Sequence, residues 1–308
     1  MERLLITLIL VCTMNNITNA QNPFYGQYHT PHETVPFDRI ETEHYEPAIL
    51  EGIKLQNAEI EAIIQNPEKA DFTNTIEAFE ESGELLDKVV AVFGNMLSAE
   101  TNDDLQELAQ KIMPLLSEHS NNITLNKKLF ARVKEVYNQK ETLQLTQEQK
   151  QLLENAYNSF IRHGANLEGE AREEYRRLTT ELSKLTLTFS ENNLKETNAY
   201  QMLLTKKESL AGLPEIIIEA AAETAKNEEK EGWAFTLHAP SYIPFMTYSD
   251  NRDLRQKLYM AYNTKCTHDN EFNNIDIVKK IANTRMKIAQ LLGYKDYAEY
   301  TLKKRMAE

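Results

Sequence analysis

The sequence predicts a mainly α-helical protein with a small β element, and three observations lead to this fold class. Only 9 glycines and 9 prolines occur in 308 residues, while the helix-forming residues Glu, Lys, Leu, Ala and Gln are abundant. Apolar residues recur at steps of three and four through most of the chain, as in amphipathic helices. Only two short segments alternate in the manner of half-buried strands. The hydrophobic content of 41% is sufficient for a real core.

The charge balance excludes several classes of partner. The chain carries 34 basic and 47 acidic residues, which gives a formal net charge of -13. Nucleic-acid binding needs concentrated positive charge, so the charge argues against a phosphate-backbone partner, and we expect no nucleic-acid binding. An anionic membrane surface is disfavoured for the same reason.

Residues 1–20 have the pattern of a secretory signal peptide. Arg3 precedes the apolar run Leu4–Cys12, and a polar stretch then ends at the small residue Ala20. The run is too short to cross a bilayer, and a signal anchor is the alternative interpretation. A lipoprotein site is disfavoured because bulky residues precede the cysteine. We therefore expect a mature chain that begins at Gln21, that is periplasmic or secreted, and that does not contact the membrane after cleavage.

An extended arm is predicted for residues 21–40, and a helical region for 41–308. Pro23, Pro31 and Pro36 disfavour a helix in the arm. From Asn74 an apolar stripe to Leu97 predicts one long amphipathic helix, with a local weakness at glycine. That stripe comprises Ile76, Phe79, Leu86, Val90, Phe93 and Leu97, and the weakness is Gly83.

Further helices follow at short intervals. A helix should begin after Asn102 and be kinked by Pro114. Thr146 and Gln149 form a capping box before the next apolar stripe. The segment Glu168–Thr197 predicts a long helix buried along one stripe, and a coiled-coil strand is an equal alternative there.

The two strand-like segments lie in the second half of the chain. Ala199–Leu204 and Trp233–Leu237 should pair with each other, with the charged helix Ala220–Lys230 between them. Beyond them, Asp250 or Asn251 should cap a helix through Tyr262. A final helix, Ile275–Leu292, should stop at Gly293.

No part of the sequence has the pattern of a catalytic metal helix. A zinc site of the peptidase type needs two histidines one helical turn apart, with a glutamate beside the first. His32 and Glu33 approach this pattern, but Pro36 stands where the second histidine should be, and prolines on both sides forbid the helix. We interpret His32 as a surface-loop residue.

Cys266 and His268 lie two residues apart, beside Asp269, and could indicate a metal or nucleophilic site. Two soft ligands are too few for a closed site, and nothing local supplies a partner base or further ligands. We interpret Cys266 as a thiol in a loop. It is also the one cysteine that remains after signal removal, so no intrachain disulfide can form.

The remaining histidines and the acidic runs are interpreted as structural. His119, His163 and His238 occur singly within helical or strand patterns. Glu228–Glu231 is a solvated face, since nothing separates the pKa values of its carboxyl groups. On chemistry alone the sequence is that of an exported helical domain.

Longer stretches of sequence, which resemble a known family, change that interpretation. The segment Pro240–Arg252 resembles the stretch that precedes a helix in bacterial peptidyl-dipeptidases of the thimet oligopeptidase and neurolysin family. Further strings follow in the family's order: Leu258–Asn263, Asp269–Asn274, Leu291–Tyr294 and Arg305–Ala307. Weaker matches precede them: Asn22–Phe24, Val35–Asp38, His44–Ala48, Phe72–Ile76 and Gly164–Leu167.

Two details of the resemblance concern local structure. Pro240 and Pro244 are expected to hold an extended segment whose aromatic residues pack, which Asp250 and Asn251 end by capping the next helix. The sequence departs from the family at Cys266, where a glycine is expected after the basic Lys265. That departure leaves the shape of one loop open.

The resemblance implies a multi-helix, neurolysin-like N-terminal half of a zinc metallopeptidase. In the family, two helical halves enclose a deep channel with zinc at its floor. The zinc ligands and catalytic groups of the family lie beyond Glu308, so we expect this chain to be truncated and inactive alone. The resemblance therefore assigns no catalytic, cofactor-binding or metal residue to this sequence, and zinc belongs to the full-length family.

The implied parent enzyme hydrolyses short peptides, through zinc-activated attack by water, and releases dipeptides from their C-termini. Its partners are short peptide substrates and the missing C-terminal catalytic half. Internal cleavage also occurs in the family. One alternative is a non-catalytic, exported helical binding protein that retains the fold. Another is a structural bundle with an accidental likeness, which the ordered strings disfavour.

Overall fold

The computed structural model describes residues 22–306. The predicted signal peptide and its cleavage site lie outside the described residues. The chain divides into two compact units. Among the described residues, the first unit contains those up to Ser183 together with those from Met286 onward, and the second contains Lys184–Arg285.

The N-terminal part of the first unit begins with three single 3-10 turns, Pro23–Tyr25, Pro31–Glu33 and Phe37–Arg39. Phe24 is fully buried there, and its ring lies 5.4 Å from the ring of Tyr45. Lys88 donates to the carbonyl of Gly26 at 2.9 Å. These contacts hold the predicted arm against the helices that follow it.

Five helices then build most of the first unit. They are α1 (Thr42–Gln65), α2 (Glu84–Ala99), α3 (Asp103–Thr124), α4 (Lys127–Asn138) and α5 (Gln147–Arg162). Helices α2, α3 and α4 all pack against α1, and α4 packs against α5. The predicted capping box is confirmed, because the Thr146 hydroxyl accepts from the N–H of Gln149 while the Gln149 side chain accepts from the N–H of Thr146. Pro114 lies inside α3, and the kink stays a prediction.

The prediction of one long helix from Asn74 is wrong. Phe72–Glu77 is π-helical, and Ala78–Glu80 is a short helical turn. Gly83 then interrupts the helix with a left-handed φ of +86°, and α2 begins after it. Two side chains of α1 stabilise this break. Glu59 accepts from the N–H of Gly83 at 2.8 Å, and the amide of Gln56 donates to the carbonyl of Ser82 at 3.2 Å.

The rest of the chain contains six more helices and two strands among the described residues. They are α6 (Gly169–Ala199), β1 (Gln201–Leu204), α7 (Glu215–Asn227), β2 (Trp233–Thr236), α8 (Ala239–Tyr248), α9 (Arg252–Asn263), α10 (Ile275–Leu291) and α11 (Tyr297–Leu302). The predicted strand pair is confirmed: β1 and β2 are antiparallel, with Met202 opposite Phe235. The predicted long helix of residues 168–197 and the cap at Asn251 are also confirmed.

The predicted extended segment at Pro240 is wrong, because α8 is a helix. Pro240 lies in its first turn, where no backbone N–H is needed. Pro244 lies inside the helix and lacks the N–H that would bond the carbonyl four residues earlier. Phe245 is fully buried against Phe235, with ring centroids 4.6 Å apart, and this packing stabilises the helix despite the lost bond.

Each unit has its own hydrophobic core. In the first, Phe130 and Phe160 stack at 5.7 Å among aliphatic side chains from α1, α4 and α5. In the second, Met202 and Phe235 of the strand pair pack against Leu258 of α9. None of the described helices is both long and apolar enough to cross a membrane.

Candidate functional site

A hydrogen-bonded polar cluster of the second unit centres on Glu196, in the last turn of α6. Its Oε1 lies 2.6 Å from Nδ1 of His268, and its Oε2 accepts from the backbone N–H of Cys266. Both donors belong to the loop Thr264–Asn274, which joins α9 to α10. A single carboxylate therefore organises the part of the loop that contains the cysteine and histidine considered in the sequence.

The opposite end of this loop is held by an amide. The side chain of Asn274 is buried, donates to the carbonyl of Phe189 at 3.0 Å, and accepts from Asn192 at 2.9 Å. The N–H of Asn274 donates to the carbonyl of Cys266 at 2.8 Å. These bonds close the loop on itself and on α6.

Cys266 has φ +58°, in the left-handed region that favours glycine. The resemblance led us to expect a glycine at this position, and the loop keeps a backbone conformation that glycine adopts readily. The bond from the Cys266 N–H to Glu196 helps to hold this conformation. The open question about the loop's shape is thus answered by the structure.

The environment keeps the Cys266 thiol protonated. Burial, and then the neighbouring Glu196 carboxylate, raise the pKa of Cys266 to about 11. Desolvation raises the pKa of Glu196, but hydrogen bonds from His268 and Cys266 outweigh it, so the pKa of this carboxyl lies below its ordinary value. Because a thiolate is the nucleophile and the metal ligand, Cys266 is unsuited to either role at neutral pH.

The cluster does not fit a metal ion. Across residues 22–306, no group of three or more His, Cys, Asp or Glu side chains is arranged to hold one. Nδ1 of His268 faces a carboxylate, and its Nε2 lies 3.2 Å from the hydroxyl of Thr264. His32 and Glu33 are exposed and both have positive φ, so neither lies on a helix that could align metal ligands.

Each of the three single histidines takes part in a hydrogen bond of its own. His119 is buried and contacts Gln56 in the first unit. His163 follows the end of α5, with Nδ1 2.8 Å from the carbonyl of Ser159. His238 precedes α8 and contacts Asn198 at 3.0 Å.

Sequence reasoning missed Glu196, which lies 70 residues before Cys266. It falls within a predicted helix as one of many glutamates, and no spacing signal connects it to the loop. Only the packing of the loop against α6 brings the carboxylate to Cys266 and His268. By contrast, Glu228 in the acidic run is partly exposed and is bonded to Lys230 at 2.8 Å, as expected for a solvated face.

A groove of about 470 Å³ also lies in the first unit. Its walls are mostly apolar and include Leu86 and Val90 of α2 and Leu116 of α3, while Gln56 and His119 also line it. The volume is in the range of small-molecule pockets. Its described lining contains no acid–base pair at hydrogen-bond distance.

Comparison with known proteins relates this chain to a family. The model of "Peptidase family M3" matches residues 245–308, which include α9, the loop Thr264–Asn274, α10 and α11. The chain is 35% identical over 290 residues to the dipeptidyl carboxypeptidase of Escherichia coli, a match that covers 94% of this chain and 43% of that protein.

Two further relatives show the same coverage. Oligopeptidase A of Salmonella typhimurium is 30% identical, over 93% of this chain and 42% of its own length. A probable cytosolic oligopeptidase A of Arabidopsis thaliana is 27% identical, over 94% and 42%. The chain thus spans less than half the length of the curated relatives that it matches. From the family match and these relatives together, the chain belongs to peptidase family M3.

Proposed function

We propose that this chain forms a non-catalytic helical wall of a zinc metallopeptidase that hydrolyses short peptides and releases dipeptides from their C-termini. The names of the relatives, a dipeptidyl carboxypeptidase and oligopeptidases A, support the reaction class. The match to 43% of a relative's length supports a role as one portion of such an enzyme. Because the resemblance assigns zinc to the full-length family, we propose that another portion of the enzyme holds the metal, whose chemistry would be the activation of water for attack on the peptide.

The observation that carries this proposal is an apolar face on α8 and α9. Ile243, Tyr248, Tyr259 and Met260 are each 49% to 58% exposed. The rings of Tyr242 and Tyr262 stack at 4.2 Å across the two helices. Single exposed apolar residues are normal, but α8 and α9 pack against each other, and four large exposed apolar side chains on one helix pair favour an interaction surface.

The same face lies largely inside the segment matched by the family model. We propose that it packs against the portion of the peptidase that holds zinc. The face then supplies shape and apolar contact to the assembled enzyme and takes no part in proton transfer. The isolated chain is accordingly expected to be inactive.

The test is to complement this chain with the segment encoded after Glu308, if the reading frame continues to a His-Glu-x-x-His helix. The isolated chain should be helical by circular dichroism, should self-associate or bind a hydrophobic dye, and should release no dipeptides. The second segment should suppress dye binding and restore dipeptide release. Met260→Asp should weaken the association, while Met286→Asp, outside the face defined here, serves as the matched control.

Two results would contradict the proposal. A stop codon directly after Glu308, together with a monomeric and dye-silent chain, would favour a free-standing exported binding protein. Elemental analysis that found about one zinc per purified chain, lost on mutation of His32 or His268, would show that this chain itself holds the metal.

We also propose that the parent enzyme is exported to the periplasm or secreted. The support is the apolar run Leu4–Cys12 followed by the small residue Ala20. Mass spectrometry of protein from the native host should give a mature N-terminus at Gln21. Material that retained residues 1–20 would overturn this part of the proposal.

A further inference from the structure

Two chemically different sets of hydrogen bonds, called ties below, hold the loop Thr264–Asn274 on α6. At its first part, the Glu196 carboxylate accepts from the N–H of Cys266 and from Nδ1 of His268. At its end, the Asn274 amide bonds the carbonyl of Phe189 at 3.0 Å. The first tie depends on an ionisable group, whereas the second depends on an amide that does not titrate.

We propose that the Glu196 carboxylate is an acid-sensitive latch, which holds this loop on α6 and keeps the Cys266 thiol out of solvent until the carboxylate is protonated. Cys266 is only 5% exposed while the latch is closed. Asn274 retains its bonds in acid and acts as the hinge. The latch therefore opens around residues 265–268 without releasing the whole loop.

Protonation opens the latch because it reduces the capacity of the Glu196 carboxylate to accept hydrogen bonds. An ionised carboxylate accepts hydrogen bonds at both oxygens, and bonds to it are stronger than bonds to a neutral group. The protonated acid carries a hydrogen on one oxygen, which is then directed at a donor of the loop. The bond that this oxygen accepted in the ionised state, from Cys266 or from His268, is therefore weakened, and the loop loses part of its hold on α6.

The charged groups around the carboxylate act in the same direction. His268 and Cys266 are the titratable groups that bond it, and the ammonium of Lys265 bonds Thr197 on the same turn of α6 at 3.0 Å. Imidazole and ammonium groups are cationic in acid. Protonation of Glu196 removes the negative charge that these cations face, so the loop loses electrostatic attraction to α6.

The pH range in which the latch opens follows from the direction in which the pKa of Glu196 is shifted. Because the pKa of Glu196 lies below its ordinary value of 4.5, the carboxylate stabilises the closed loop at and above pH 4.5. That stabilisation is lost as the pH falls through the lowered pKa. The latch is closed at neutral pH and opens in acid.

The experiment measures the reaction of the Cys266 sulfur with the disulfide of 4,4′-dithiodipyridine, which releases 4-thiopyridone and proceeds in acid as well as at neutral pH. A Cys12→Ser background leaves Cys266 as the single thiol of the full chain. Each rate is divided by the rate of the same chain in urea at the same pH, which removes the intrinsic pH dependence of the thiol. Far-ultraviolet circular dichroism is recorded in parallel.

The normalised rate should be low at pH 7, should rise by up to about tenfold per pH unit as the pH falls from 4.5 towards the lowered pKa of Glu196, and should level off below that pKa, because one proton opens the latch. Glu196→Gln should be reactive at pH 7 already, with a flat profile. Glu228→Gln is the matched control, since Glu228 is a glutamate of the same unit that bonds Lys230 and does not touch the loop. It should keep the wild-type profile.

His268→Gln is the second variant, for the case in which Glu196→Gln does not fold. It keeps the carboxylate but removes a bond that lowers the pKa of Glu196, so the opening should move to higher pH. The proposal is overturned by a flat wild-type profile, by Glu196→Gln or His268→Gln that behaves as wild type, or by thiol exposure that coincides with loss of the helical signal.

Discussion

Nε2 of His119 lies 2.7 Å from Oε1 of Gln56 in the first unit. The amide nitrogen of Gln56 donates to the carbonyl of Ser82 at 3.2 Å, so the amide oxygen is the atom directed at the imidazole. Nε2 must therefore carry the hydrogen, and this geometry assigns the tautomer of the buried imidazole. The same glutamine fixes the chain at Gly83, where a Cβ would lie 2.3 Å from Gln56.

Gln56→Leu should destabilise the protein by about 1–3 kcal/mol, because a buried donor on His119 loses its acceptor. Urea unfolding followed by circular dichroism measures the change. Gln151→Leu is the control, since Gln151 is exposed and bonds only the neighbouring turn of its own helix at Asn155. It should change the free energy of unfolding by less than about 0.5 kcal/mol. Equal effects at the two positions would contradict the assignment.

The buried histidine should make stability depend on pH. Burial lowers the pKa of His119 below its ordinary value of 6.5, so the unfolded chain binds a proton more readily than the folded chain. The stabilisation is complete above pH 6.5 and is lost as the pH falls, with a slope of up to about 1.4 kcal/mol per pH unit. His119→Gln should flatten this slope in urea titrations at pH 5 to 8. His163→Gln should leave the slope in place, and a slope unchanged by His119→Gln would refute the prediction.

Cys266 should tolerate glycine better than a β-branched residue. Its φ of +58° strains any side chain, and valine at such a position is disfavoured by about 1–3 kcal/mol. Cys266→Gly relieves strain but removes a buried thiol, so the two effects should cancel to within about 1 kcal/mol. The free energies of unfolding of the two variants in urea give the comparison. The prediction fails if valine proves at least as stable as glycine.

Substitution by alanine should destabilise the protein at Gly212 and stabilise it at Gly94. Its φ is +85°, and a Cβ there would lie 2.3 Å from the backbone carbonyl oxygen of Tyr248, so Gly212→Ala should cost more than about 2 kcal/mol. Gly94 lies inside α2, where a Cβ would meet no atom within 4 Å. Gly94→Ala should stabilise the protein by about 0.5–1 kcal/mol. Thermal unfolding of both variants measures the two changes in stability. Changes of the same sign would contradict the prediction.

Local signals predicted several elements correctly. Thr146 with Gln149, and Asn251 before α9, are caps whose chemistry involves residues three positions apart. Gly293 adopts φ +85° after α10, as expected for a glycine that ends a helix. The alternation around Met202 and Phe235 correctly indicated a strand pair.

The errors lie where distant contacts override local preference. The apolar stripe continues across Gly83, but Gln56 and Glu59 of α1 stabilise a break there. Two prolines in α8 argued for extended chain, yet the burial of Phe245 stabilises a helix. In both places the local pattern was real, and tertiary packing outweighed it.

The sequence by itself determined that this protein is mainly helical, that it resembles the M3 peptidases, and that it has no His-Glu-x-x-His helix. These properties depend on composition, periodicity and ordered strings, all of which are local or linear. The tertiary structure alone decided that Glu196 meets Cys266 and His268, and that Gln56 holds both His119 and the break at Gly83. These pairs are 27 to 72 residues apart, and a contact between groups so distant in sequence leaves no periodic signal, because it depends on how helices pack.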